Sequence, residues 1–164
     1  MTTIDVLQEN PEEVGELIER KELDSDQSEV VFEDISDRFN YLEIYIEPID
    51  PDDSAKGEFF FNDDEDTANY EVYRLRFDDS TEADIRDSRI ADFIGSHPVH
   101  YRILGISNAD MKTTFVSQHT RASSGQGSTW AGWWDDESVV SKLKVNNDDS
   151  QFSAGSTFTL IGVE

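Results

Sequence analysis

The sequence predicts an all-β chain: an antiparallel, jelly-roll-like β-sandwich of eight or nine strands with a short N-terminal helix. Three observations carry this expectation. From Glu29 onward apolar residues recur with a period of two, as on strands with one buried face. Turn-forming stretches such as Pro51-Asp52-Asp53 and Ala122–Gly127 separate these runs. No second helix-length pattern interrupts them, and short strands in regular succession mean a sandwich or barrel, eight being the jelly-roll number.

The helix is expected over residues 10–21. Asn10 suits an N-cap, Pro11 the first helical position, and Glu12 and Glu13 the positive end of the dipole. Val14, Leu17 and Ile18 fall at i, i+3 and i+4, a narrow apolar stripe for anchoring or oligomer contact, with Arg20 and Lys21 in the last turn. Glu22–Ser28 reads as a polar linker. The chain therefore divides into residues 1–28, helix and linker, and residues 29–164, the sandwich.

Val30-Val31-Phe32 opens the first expected strand, and Leu42, Ile44 and Ile46 form the buried side of the next. Gly57–Asn62 is apolar nearly throughout, so both its faces should be covered. Tyr70–Phe77 and Val99–Leu104 alternate again, with a short apolar patch at Ile90, Phe93 and Ile94 between them. Lys112–Thr120, Ser138–Val145 and Ser156–Val163 complete the series. In the last, Gly155-Ser156 turns the chain, Phe158 and Leu160 face inward, and Gly162 permits close backbone approach.

Composition narrows the function. The chain has 164 residues with 37 Asp+Glu against 13 Lys+Arg, a net charge of −24. That charge repels phosphate backbones and argues against nucleic acid as a partner. The ten Phe, five Tyr and three Trp argue against disorder. With no cysteine there is neither a disulfide framework nor a thiolate metal site. No run is long and apolar enough for membrane insertion by a helix, and no signal peptide is visible. The acids are spread evenly and only five residues are Lys. Such a coat suits concentrated salt, where the Debye length falls to about 3 Å at 1 M and self-repulsion is screened. A haloarchaeal origin is the expectation. Residues 101–164 carry only seven acids and five bases, so the C-terminal third is the expected place for subunit packing.

Catalytic constellations are scarce, and the chain reads as a non-enzyme. His97 and His100 flank Pro98 without an evident third ligand, and His119 stands apart. The loop Asn62–Tyr70 contains Asp63, Asp64 and Asp66, oxygen ligands suited to Ca²⁺ or Mg²⁺, the one cofactor class with a candidate place. Its departures from an EF-hand, Thr67 for Gly and Tyr73 for Glu, leave a solvated acidic loop as the alternative. Trp130, Trp133 and Trp134 offer either a sugar platform, as in a carbohydrate-binding module, or core and subunit contact. Trp130 and Trp134 share one strand face and Trp133 the other.

The order of motifs is similar to that of a group of jelly-roll-like structural proteins of tailed bacteriophages and related viruses. Val31-Phe32-Glu33-Asp34-Ile35 and Tyr41-Leu42-Glu43-Ile44 match their opening strands. Phe61-Asn62-Asp63 with Asn69-Tyr70 matches an FNgD…NY turn, followed by Met111-Lys112-Thr113 and Gly132-Trp133. Phe152-Ser153-Ala154-Gly155-Ser156-Thr157-Phe158-Thr159-Leu160-Ile161-Gly162-Val163 is the most specific element. The match spans residues 29–164, with Ile161 replacing the usual Tyr and a more acidic Asp63–Asp66 insert. Together with the salt-adapted composition, the resemblance implies a virion structural protein of a haloarchaeal tailed virus, made in the host cytoplasm and carried on the virion surface. It would form an oligomeric projection, a capsid turret or decoration, with a tail-fibre or tail-tip adsorption protein as the alternative. Implied partners are copies of itself, as trimer or pentamer, the major capsid or tail proteins, and a host surface glycan or glycoprotein.

Overall fold

The computed structural model describes residues 15–49, 57–77, 82–86, 98–121, 126–147 and 150–164. Among these, eleven strands occur: β1 Glu16–Glu22, β2 Glu29–Phe32, β3 Tyr41–Glu47, β4 Gly57–Phe61, β5 Tyr70–Phe77 and β6 Glu82–Arg86. They continue with β7 Val99–Leu104, β8 Thr113–Arg121, β9 Gln126–Trp134, β10 Leu143–Asn147 and β11 Thr157–Val163. An eight-stranded sheet runs β1-β11-β3-β7-β8-β9-β5-β6, and a three-stranded sheet runs β2-β10-β4. Every pairing is antiparallel. The expected all-β sandwich is therefore present, but with eleven described strands in place of eight or nine, because β1, β6 and β9 are strands that lacked a clear alternating signal.

Alternation sets which side of the large sheet is buried. Leu42, Ile44 and Ile46 of β3 pair with Gly162, Leu160 and Phe158 of β11 and join Val99, Tyr101 and Ile103 of β7 inside. The small sheet covers this face. Phe59 meets Tyr101 edge-on with ring centroids 4.5 Å apart, and Phe61 lies 5.5 Å from Trp134. β4 is buried at all five positions, as its continuous apolar run requires. Phe60, on its opposite side, packs against Tyr70 and lies under the Lys144 ammonium.

The terminal motif organises the last turn. Gly155 adopts φ +91°, a conformation that glycine reaches without a steric penalty. Ser156 is buried, and its hydroxyl accepts from the Ile49 amide at 2.8 Å. Phe158 and Leu160 enter the core as expected, and the Phe39 ring lies against the bare Cα of Gly162.

The N-terminal helix is corrected where the chain is described: Glu16–Glu22 is strand, hydrogen-bonded along β11. The register shifts between Leu17 and Glu19, and this irregularity explains the misleading spacing. Leu17, opposite Ile161, is 59% exposed, while the adjacent Ile18 packs on the core. Two neighbouring apolar residues thus serve opposite sides of one strand, a pattern that resembles a helical i+3, i+4 pair. Asn10, Pro11 and Val14 lie outside the described residues, as do Pro51–Asp53, the Ile90–Ile94 patch and Ala122–Gly125. The segment expected as a linker is laced to the terminal turn: Leu23 donates to Ser156, accepts from Gly155, and Gln27 bridges Phe152. Near the C-terminus, the strand expected from Ser138 begins only at Leu143.

Candidate functional site

The acidic turn is built on the end of β4. Asn62 and Asp63 have φ values of +50° and +62°, and the Asp64 amide donates to the Phe61 carbonyl at 2.9 Å. Two successive left-handed residues between a donor and acceptor of this kind make a type I′ turn, which accounts for Asn at the first central position. The Asn62 amide then fastens the neighbouring loop, donating to the Val139 carbonyl at 2.8 Å and accepting from the Ser141 and Lys142 amides.

Asp64 is the centre of a second set of contacts. Its Oδ2 accepts from Trp134 Nε1 at 2.7 Å and Asn69 Nδ2 at 2.9 Å, while Oδ1 accepts from the Asp66 amide at 3.1 Å. Burial alone would raise this carboxyl, but the three donors outweigh it and hold the group below the ordinary Asp range. Tyr70 closes the ring: its hydroxyl donates to the Asp64 carbonyl at 2.7 Å and accepts from the Phe61 amide at 3.0 Å. Burial of the Tyr70 phenol pushes its pKa strongly upward, so it stays a neutral donor.

The three aspartates singled out as oxygen ligands therefore point to three different tasks. Asp63 pairs with Lys142, which also reaches Glu33. Asp64 holds Trp134 and Asn69. Asp66 caps a 3-10 turn at Thr67–Asn69 by accepting from the Ala68 amide. Among the described residues no three His, Asp or Glu side chains gather as a metal site. His97 and the His119 side chain lie outside those residues, and His100 stacks on Tyr45 with ring centroids 4.3 Å apart.

The tryptophans separate by strand parity. Trp130 and Trp134 are each 1% exposed and lie in the core, so the sugar contact that required either of them exposed is corrected. The buried side of β9 lies against the small sheet, with Trp134 packed on Phe61. Trp133 projects from the outer side, half-buried, in register with Glu71 of β5 and Thr114 of β8. Tyr73, 38% exposed, lies 5.6 Å from it at a 35° tilt and donates to Glu71. A groove of about 420 Å³ opens here, lined by Thr67–Glu71, Trp133 and Asp135. Of this group the sequence singled out Trp133 and, within the acidic loop, Thr67–Tyr70, but neither Glu71 nor Asp135. The β5–β9 pairing that brings Glu71 and Tyr73 beside Trp133 has no local sequence signature.

Next to this aromatic pair, the outer side of β7, β8 and β9 carries a neutral patch. Leu104 pairs with Thr114, and Val116 with Ala131, all four exposed. A ridge of charge bounds it: Arg102 donates to Glu43 at 2.6 Å, and Glu43 also accepts from Tyr45. Burial would raise the Glu43 carboxyl, but these hydrogen bonds and the nearby His100 lower it.

No family model matches the chain, and no curated protein matches it. Among solved structures it is similar to SCP-B, a member of the Eqolisin family of peptidases, in a complex with the tripeptide Ala-Ile-His. The match is 8% identical, covers 85% of this chain and 64% of that one, and has a TM-score of 0.26. The chain thus spans less than two thirds of that peptidase's length, and a TM-score this low carries no inference about either chain.

Proposed function

We propose that this chain is a structural protein of a haloarchaeal tailed virus, self-associating into a projection on the virion surface as a capsid turret or decoration. The carrying observation is the neutral patch of Leu104, Thr114, Val116 and Ala131 on a chain of net charge −24. Uncharged, partly apolar surface of this kind suits contact with a second copy, and it falls in the C-terminal third, where the charge is low. The motif resemblance over residues 29–164 supports the same reading. The evenly acidic coat supports a halophilic host.

Light scattering of the full chain in molar KCl tests the proposal. A trimer or pentamer is expected, with Val116→Asp shifting it toward monomer and the protein recovered in purified particles at symmetry-related copy number. A wild-type monomer that is absent from particles overturns it.

A further inference from the structure

We infer that the groove beside Trp133 is a carbohydrate site that seats a neutral pyranose ring. The inference stands on the groove itself and is independent of where on a particle the protein resides. A pyranose presents an apolar face of ring C–H bonds and a rim of hydroxyls that both donate and accept. The groove offers the complement of each. The half-buried Trp133 indole supplies a flat apolar wall, and Tyr73 packs against that ring without lining the groove itself. Thr67, Asn69, Glu71 and Asp135 supply the polar rim. Asn69 commits its Nδ2 to Asp64, which leaves its acceptor Oδ1 for a ligand hydroxyl. The volume of about 420 Å³ lies within the range of small-molecule sites.

Charge narrows the class. Glu71, which is not paired with a cation among the described residues, accepts well from hydroxyls but repels uronates, sialates and sulfated sugars. A partner's arginine or lysine is the competing occupant of an aromatic, acidic groove, yet that role is already filled. Lys112 pairs with Asp135 and places its ammonium 5.9 Å from the centroid of the Trp133 ring. Contacts of ring faces and hydroxyls also persist in molar salt, where long-range attraction between exposed charges is screened.

The walls are set in place before any ligand arrives. The Asn69 amide donates to the Asp66 carbonyl at 2.9 Å, and the Asp135 amide to the Asn69 carbonyl at 2.6 Å. The Asp64 carboxylate ties Asn69 to Trp134, next in sequence to Trp133. Such preorganisation lowers the ordering cost of binding.

Saturation-transfer NMR and tryptophan fluorescence of the full chain in molar KCl test this. The probes are the methyl glycosides of glucose, galactose, mannose and N-acetylglucosamine, with methyl glucuronide and N-acetyl-argininamide as contrasts. Saturable binding of at least one neutral glycoside is expected, with glucuronide excluded. Trp133→Ala should weaken it about tenfold or more, equivalent to about 1.4 kcal/mol. Glu71→Gln, which keeps an acceptor for Tyr73, should weaken it several-fold with an unchanged melting curve, and it decides the matter if Trp133→Ala fails to fold. No saturable response to any neutral glycoside overturns the inference. So does binding that Glu71→Gln leaves unchanged, and so does binding of the argininamide alone, which would assign the groove to a cationic protein partner.

Discussion

Trp134 Nε1 donates to Asp64 Oδ2 at 2.7 Å, joining the acidic turn to the last residue of β9 across 70 positions of sequence. Every other side-chain contact of Asp64 is also an acceptance, from Asn69 Nδ2 and the Asp66 amide. The position therefore requires an anion or another pure acceptor, and the carboxylate is structural.

Asp64→Asn should destabilise the fold by about 1–3 kcal/mol, since an amide must turn its own donors toward at least one existing donor. Urea denaturation in molar KCl measures it. A midpoint unchanged from wild type would show that the clasp contributes nothing.

The same carboxyl makes stability sensitive to acid. Asp64 and Glu43 both lie below their ordinary values when folded. Each contributes stability that is complete above the unfolded carboxyl range, about pH 4, and is lost as pH falls through the lower folded value. The urea midpoint should stay level from neutral pH to about pH 5 and fall below about pH 4. Asp64→Asn should fall less steeply; an identical acid limb would assign the sensitivity elsewhere.

Calcium is expected to stabilise the wild type no more than monovalent salt of equal ionic strength. Asp63, Asp64 and Asp66 already serve Lys142, Trp134 and the Ala68 amide, respectively. Calorimetric titration of wild type and Asp64→Ala should give equal responses. A saturable signal confined to the wild type would restore the loop as a cation site.

Gly162→Ala should cost about 1–3 kcal/mol through overpacking, because an added Cβ would sit 2.6 Å from the Phe39 ring. Combining it with Phe39→Leu should recover part of the loss. Thermal melts of both variants check the coupling, and strictly additive losses would refute it.

Much of the sandwich was legible because strand alternation is a local signal. Leu42, Ile44 and Ile46 turned inward, β4 was buried on both faces, and Trp133 stood opposite Trp130 and Trp134, as parity requires. What misled was β1, where the irregularity at Leu17–Glu19 disguises an edge strand as a helix and only pairing with β11 settles its form. The candidate site was legible at Trp133 and, as a loop read for cations, at Thr67–Tyr70. Its other walls depend on β5 meeting β9 and on a carboxylate reaching across the fold. Both are long-range choices that no window of sequence contains.

The β1–β11 seam has a mechanical consequence. Glu16 pairs with Gly162 and Glu22 with Thr157, so the start of one strand lies beside the end of the other. Tension applied between Glu16 and Gly162 would peel this ladder open rung by rung instead of shearing all its hydrogen bonds together. A subunit tethered at both of these points would yield first at this seam, a fuse that protects the aromatic interior from the load.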